Sequence, residues 1–185
     1  MARQHQIEVG LLGATGAVGQ EFIVQLATHP WFRLAWVAAS HRSEGRRYSE
    51  ATAWRLPVPC PDDVSEMVVD SVTPGRAPRL VFSGLDSTVA GEVEEAFAKA
   101  GHIVVSNARN HRMEPDVPLL VPEINADHLT LLSTQASTRN WSGRIVTNPN
   151  CSTIMLTMAL APLCQFGLNT VNVTTLQAVS GAGYP

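Results

Sequence analysis

Residues Ile7 to Leu12 form a short apolar run ending at glycine, and beyond it Val18, Phe22, Ile23 and Leu26 recur at the spacing of one helix face. The opening is therefore predicted as strand, tight turn, helix. Apolar runs at residues 34–39, 68–72, 79–83 and 102–106 read as further strands, and residues 89–100, rich in Ala and Glu, read as a helix. Residues 119–121 and 145–146 are two more candidate strands, with a polar loop expected at 133–143 between them. A helix is predicted from Ser152 to about Phe166, with Pro162 kinking it or ending its regular bonding because proline has no N–H to give. Residues 169–179 alternate in polarity and are rich in Val and Thr, which predicts one long strand. That strand has no partner downstream and needs another edge, so it points to an oligomer contact or to the start of a second unit. Strands alternating with helices imply parallel pairing and an α/β fold.

Gly13, Gly16 and Gly19 fall three apart between the first strand and helix, where they permit a tight turn, close approach of backbone to a pyrophosphate, and close helix packing. The pattern predicts a Rossmann-type dinucleotide site. An NAD-preferring site places Asp or Glu about 20 residues beyond the glycines. Here the second strand ends instead in Ser40-His41-Arg42-Ser43, without an acid. Ser40 and Arg42, with Arg46 and Arg47 nearby, suit a 2′-phosphate, since a guanidinium binds phosphate through paired hydrogen bonds. The expected cofactor is NADP; the competing reading is a solvated basic loop.

Composition narrows the function classes. With 185 residues and 45% hydrophobic content, the chain can bury one good core and begin a second unit. A net charge of -3, with 13 lysines and arginines scattered rather than clustered, gives no basic field for nucleic acid. Cysteines at 60, 151 and 164 lack the spacing of a disulfide framework or a zinc site, which fits a reducing compartment. The first residues carry no apolar leader, and no apolar run reaches the roughly 18 residues of a membrane span. The expected setting is soluble and cytoplasmic, with no membrane partner.

Cys60 lies in a proline-rich loop and Cys164 on the late face of an apolar helix, and both read as structural. Cys151 differs, because Asn148-Pro149-Asn150-Cys151-Ser152-Thr153 runs from a polar coil into an apolar helix and sets the thiol at the helix start. Unpaired N–H groups and the partial positive charge there favour a thiolate, the nucleophilic form, and suit a developing oxyanion.

The chain resembles the aspartate-semialdehyde dehydrogenase family, in particular its archaeal and fungal branch. The resemblance rests on 13-GATGAVGQ-20, 39-ASHRS-43, 83-SGLD-86, 106-SNARNHR-112, 121-VPEIN-125, 150-NCST-153 and 176-LQAVSGAG-183, which occur in the family's order along nearly the whole chain. It implies reductive dephosphorylation of 4-phospho-L-aspartate, or the reverse, through a thioester on Cys151 that hydride from NADPH reduces to aldehyde. By position, Cys151 is the nucleophile, Gln177 orients the substrate, Arg112 binds the substrate phosphate, and Asn150 lies beside cofactor and substrate. Gly13, Thr15, Gly16, Ala17, Val18, Gly19, Ser40, Arg42 and Ser83 are the implied cofactor contacts. Residues 1–150 would form the cofactor domain, and residues 151–185 the incomplete beginning of an α+β catalytic and dimerisation domain, so a homo-oligomer is expected through the last strand. The resemblance leaves the acyl substrate open, malonyl-CoA reductase being a close relative. It also implies a general-base histidine, and none of the six histidines here stands in its context. Two alternatives therefore stand beside the dehydrogenase: a relative using Cys151 for non-redox acyl transfer or cyclisation, and a nucleotide-binding or oligomerisation module.

Overall fold

A computed structural model describes residues 6–177. Strands β1 (Ile7–Leu12), β2 (Phe32–Ala39), β3 (Asp70–Ser71), β4 (Leu80–Ser83), β5 (Ile103–Ser106) and β6 (Arg144–Thr147) form one sheet in the order β3-β2-β1-β4-β5-β6. Every pairing is parallel. The connecting helices are α1 (Ala17–Ala27), the short α2 (Tyr48–Ala51) and α3 (Asp62–Ser65), α4 (Ser87–Lys99), the short α5 (Pro122–Asn125), α6 (Leu131–Arg139) and α7 (Cys151–Leu160). This is the Rossmann-type α/β arrangement. The chain steps outward from β1 to β3 and then returns to β4 on the other side of β1. The order reverses between β1 and β4, and crevices in such sheets open beyond the carboxyl ends of the strands at that reversal.

Side-chain alternation along the strands feeds two cores. Val9 and Leu11 of β1 and Val37 and Ala39 of β2 pack with Ile23 and Leu26 of α1, while Leu12, Ala38, Val81 and Val104 pack on the other face with Phe97 and Ala98 of α4. Both faces are covered, so the strands read as nearly continuous apolar runs. Each large aliphatic side chain buried in this way contributes about 1.5–3 kcal/mol. The register aligns Leu12, Ser83, Ser106 and Thr147 in one row at the carboxyl edge of the sheet, and the three hydroxyl residues of that row are fully buried.

The structure corrects several expectations. The strand expected at 68–72 is reduced to the two-residue β3 at the edge of the sheet; Val69 is buried there, whereas Val68 faces outward. Residues 119–121 form a single bridge, Leu119 to Thr147, because prolines at 118 and 122 remove the N–H groups a longer ladder needs. The loop expected at 133–143 is instead helical as far as Arg139, as part of α6. Its polar character misled, because the hydroxyls of Ser133, Ser137 and Thr138 turn back onto carbonyls one turn earlier, and its Gln135 is fully buried against β6. Regular α-helix stops at Leu160, before Pro162, and a 3₁₀ turn follows over Ala161–Phe166. No strand forms over residues 169–177, whose side chains are exposed; an alternating stretch rich in Val and Thr becomes a strand only against a neighbouring edge, and none lies beside it among the described residues. Residues 178–179 of that expectation, and the glycine-rich 181–183, lie outside the described residues.

Candidate active site

A cleft of about 1130 Å³ runs along the carboxyl edge of the sheet, from the turn after β1 to the start of α7. The three expected glycines have three different duties. Gly13 has φ +75°, and a side chain there would press on the Gly84 backbone at 2.8 Å. Gly19 lies so close beneath the turn that a Cβ would meet the Gly13 carbonyl oxygen at 2.3 Å. Gly16 caps α1 without any side-chain hydrogen bond and lines the cleft with Thr15, Ala17 and Val18, so the first amides of α1 face it uncapped.

Ser40 and Arg42 line the same cleft beyond β2, joined by Arg46 and Arg55. Arg55 was not anticipated from sequence. It is brought in by Gln20, a buried side chain whose amide donates to the Thr15 and Ala53 carbonyls at 3.4 and 3.1 Å and accepts from the Arg55 N–H at 2.9 Å. Tyr48 supports the turn from below by donating to the Ala14 carbonyl at 2.9 Å, and burial pushes its phenol well above the ordinary range. Ser83, expected among the cofactor contacts, does not line the cleft. It is fully buried, and its hydroxyl donates to Glu94 at 2.6 Å.

At the other end, Asn150 caps α7 by accepting from the Thr153 N–H at 2.8 Å, which sets Cys151, the first helical residue, exposed at the cleft. Gln177 is folded back so that its amide donates to Ser152 at 2.7 Å, one residue from the thiol, although it does not itself line the cleft. Arg112 also lines the cleft and donates to the Asn107 carbonyl at 2.8 Å, while its Nε is buried without a partner. Burial lowers the guanidinium from its ordinary value, and the charge of nearby Cys151 opposes that shift. Asp86, Asn107 and Arg109 complete this stretch of wall. They belong to motifs visible in the sequence, yet nothing there separated them from their neighbours. Asp86 caps α4, and hydrogen bonds from the Thr88 N–H and hydroxyl hold its carboxyl below the usual range.

A cluster of ionisable side chains lies behind the wall. Glu94 of α4 accepts from Ser83 and Ser106, faces the ring of His111, and connects through it to Glu114, Arg139 and Asp116. No group of His, Cys, Asp or Glu among the described residues could hold a metal ion, and no helix among them is long and apolar enough to cross a membrane.

Residues 8–132 match the family described as semialdehyde dehydrogenase, NAD binding domain. Among curated proteins, an aspartate-semialdehyde dehydrogenase of Archaeoglobus fulgidus is 50% identical over 178 residues, covering 96% of this chain and 52% of that protein. Its counterpart in Cryptococcus neoformans is 50% identical over 193 residues, covering 100% of this chain and 53% of that protein. The Candida albicans aspartate semialdehyde dehydrogenase, solved with NADP, superposes with a TM-score of 0.78 at 40% identity, over 88% of this chain and 48% of that one. Aspartate semialdehyde dehydrogenase II of Vibrio cholerae superposes at 0.74 with 31% identity, over 97% and 49%. The chain spans about half the length of the curated relatives it matches.

Proposed function

The chain belongs to the semialdehyde dehydrogenase family, and from that premise we propose that it serves NADP-dependent interconversion of an acyl phosphate and a semialdehyde, with aspartyl phosphate and aspartate semialdehyde as the pair. The observation that carries this reading is the single cleft wall that joins an uncapped helix start at Gly16, the cations Arg42, Arg46 and Arg55, and the thiol of Cys151 beside Arg112. Its volume of about 1130 Å³ exceeds the roughly 300–1,000 Å³ of common small-ligand sites, which suits a dinucleotide together with a small acid.

The cofactor fits the residues present. The amides opening α1 suit the pyrophosphate, and the missing Cβ of Gly16 lets it approach; Ser40 and Arg42 suit the 2′-phosphate. When bound, NADPH supplies a hydride. The residues of the chain perform the acyl step: the Cys151 thiolate forms a bond to the acyl carbon, the carbon–oxygen bond to phosphate breaks, and phosphate leaves with the electron pair towards Arg112. The backbone N–H groups at the start of α7 suit the oxyanion formed on the way. Gln177, held against Ser152, is placed to orient the acyl group.

Residues 151–185 open a catalytic and dimerisation region in this reading, and a homo-oligomer forms through it. The apolar residues from α7 onward support this: Met155 of α7 is 67% exposed, and Phe166 and Leu176, beyond the helix, are 78% and 99% exposed, and apolar surface of this kind is ordinarily covered by other polypeptide. The cytoplasm is the proposed compartment, consistent with three free cysteines.

The test is to expose the protein to 4-phospho-L-aspartate, assay phosphate release and a Cys151 acyl adduct by mass spectrometry, and measure NADP and NAD binding alongside. Adduct and phosphate release that vanish in Cys151→Ala, with NADP bound more tightly than NAD, are expected. Absence of the adduct in a protein that binds NADP would overturn the acyl-phosphate reading in favour of a nucleotide-binding module.

A further inference from the structure

Glu94 is the most deeply buried carboxylate of the described residues, and the proposed mechanism does not use it. Its Oε1 accepts from Ser83 at 2.6 Å and from Ser106 at 2.7 Å; Ser106 in turn accepts from the Ala108 N–H, so its hydroxyl proton is free to point at Glu94. Its Oε2 has no hydrogen-bond partner and faces Nε2 of His111, which has none either, across 3.6 Å. That separation is too long for a made hydrogen bond, and a single proton between the two atoms would complete it. On the other side of the ring, Nδ1 lies 2.8 Å from Glu114, whose second oxygen is paired with Arg139, itself paired with Asp116. Both oxygens of Glu114 are thus engaged, and Nδ1 is placed to donate to it.

We propose that Glu94 and His111 are a positioning pair: Glu94, as the neutral acid, donates its proton to Nε2 of His111, and this buried link holds the 107–112 arm so that Arg112 faces Cys151. The proposal deepens the function given above and rests on it for the role of Arg112. The geometry makes the pair a cross-brace. Ser83 and Ser106 end the neighbouring strands β4 and β5, and the arm that starts at Asn107 carries both the carbonyl that accepts from Arg112 and Arg112 itself, next in sequence to His111. A carboxyl shut away from water is less costly neutral than charged. Consistently, burial pushes Glu94 above the usual carboxylate range and outweighs the opposing hydrogen bonds of Ser83 and Ser106.

Two measurements on the 185-residue protein decide the matter. In protein labelled with ¹⁵N-histidine, with His111→Asn used for assignment, the ring of His111 is expected to show a protonated Nδ1 and an unprotonated Nε2 at neutral pH. A ring protonated at both nitrogens would overturn the proton placement. The second measurement compares alkylation of Cys151 by anionic iodoacetate and neutral iodoacetamide in a Cys60→Ser, Cys164→Ser background. A guanidinium beside the thiol favours the anion, so Arg112→Ala should lower the iodoacetate-to-iodoacetamide rate ratio on the order of tenfold. Glu94→Leu should reproduce most of that fall. Glu94→Gln should stay within about twofold of the parent, since its amide N–H can donate to Nε2 while its carbonyl still accepts from both serines. An unchanged ratio in Arg112→Ala would sink the anion-site reading alone. An unchanged ratio in folded Glu94→Leu, or a fall in Glu94→Gln as large as that in Arg112→Ala, would sink the positioning pair, and the latter arm remains decisive if Glu94→Leu does not fold.

Discussion

Replacing Gly19 by alanine separates the two things a glycine turn can do. Gly19 lies inside α1, where glycine ordinarily costs about 1 kcal/mol relative to alanine, so propensity alone predicts stabilisation. The structure predicts the reverse. The new Cβ would stand 2.3 Å from the Gly13 carbonyl oxygen and 2.7 Å from the Ala14 Cα and carbonyl carbon, all of them backbone atoms, against an ordinary contact of at least 3.4 Å. Relief needs the turn and helix to separate by about an ångström, and no side chain can rotate aside. Overpacking of this kind costs typically about 1–3 kcal/mol. With rigid backbone on every side we take the upper end and subtract the propensity gain, leaving a net loss of about 2 kcal/mol. For a chain of this size that lowers Tm by about 4–8 °C. Gly16→Ala is the control: its nearest contact is the same carbonyl at an ordinary 3.4 Å, so Tm should move little. Because Gly16 lines the cleft, NADP affinity in that variant should fall about tenfold, equivalent to about 1.4 kcal/mol. Thermal unfolding followed by circular dichroism, with NADP titration by fluorescence, reads both. A Gly19→Ala protein that melts at or above the parent temperature would refute the packing argument, and unchanged NADP affinity in Gly16→Ala would refute the placement of the pyrophosphate.

Three other outcomes follow from the same geometry. Gln135→Ala removes a buried amide that bonds both the N–H and the carbonyl of Ile145 at 2.8 and 3.0 Å, leaving β6 with unpaired groups; a loss of about 3 kcal/mol in urea unfolding is expected. Hydrogen bonds from Arg139 hold Asp116 below the usual carboxylate range, so its folded value lies under the unfolded value of about 3.9. The stability it contributes is therefore present above that pH and lost as pH falls through the folded value; urea midpoints from pH 7 to pH 3 should decline less steeply in Arg139→Ala than in the parent. Arg42→Ala should reduce the preference for NADP over NAD by at least tenfold while leaving NAD binding within about twofold, measured by parallel titrations.

Much of this protein was legible along the chain because the relevant forces are local. The strand, turn and helix that open it depend on three glycines and an apolar periodicity within 20 residues, and Cys151 heads a helix because Asn150 beside it is a cap. The parallel sheet follows from the alternation of elements. Other features depended on what each segment meets. A serine- and threonine-rich stretch became α6 because Gln135 found the open backbone groups of Ile145, ten residues away. The Val- and Thr-rich stretch at 169–177 stayed without a strand because a ladder needs an edge. Ser83 matches a motif but turns inward, since the register that aligns it with Ser106 points both hydroxyls at Glu94 on α4. The sequence by itself determined the glycine turn, the strands next to it and the thiol at a helix start, whose causes are steric and hydrogen-bonding preferences of adjacent residues. Only the tertiary structure decided which polar side chains line the cleft and which brace it from behind, because that choice depends on strand register and on burial, where an unpaired polar atom is costly.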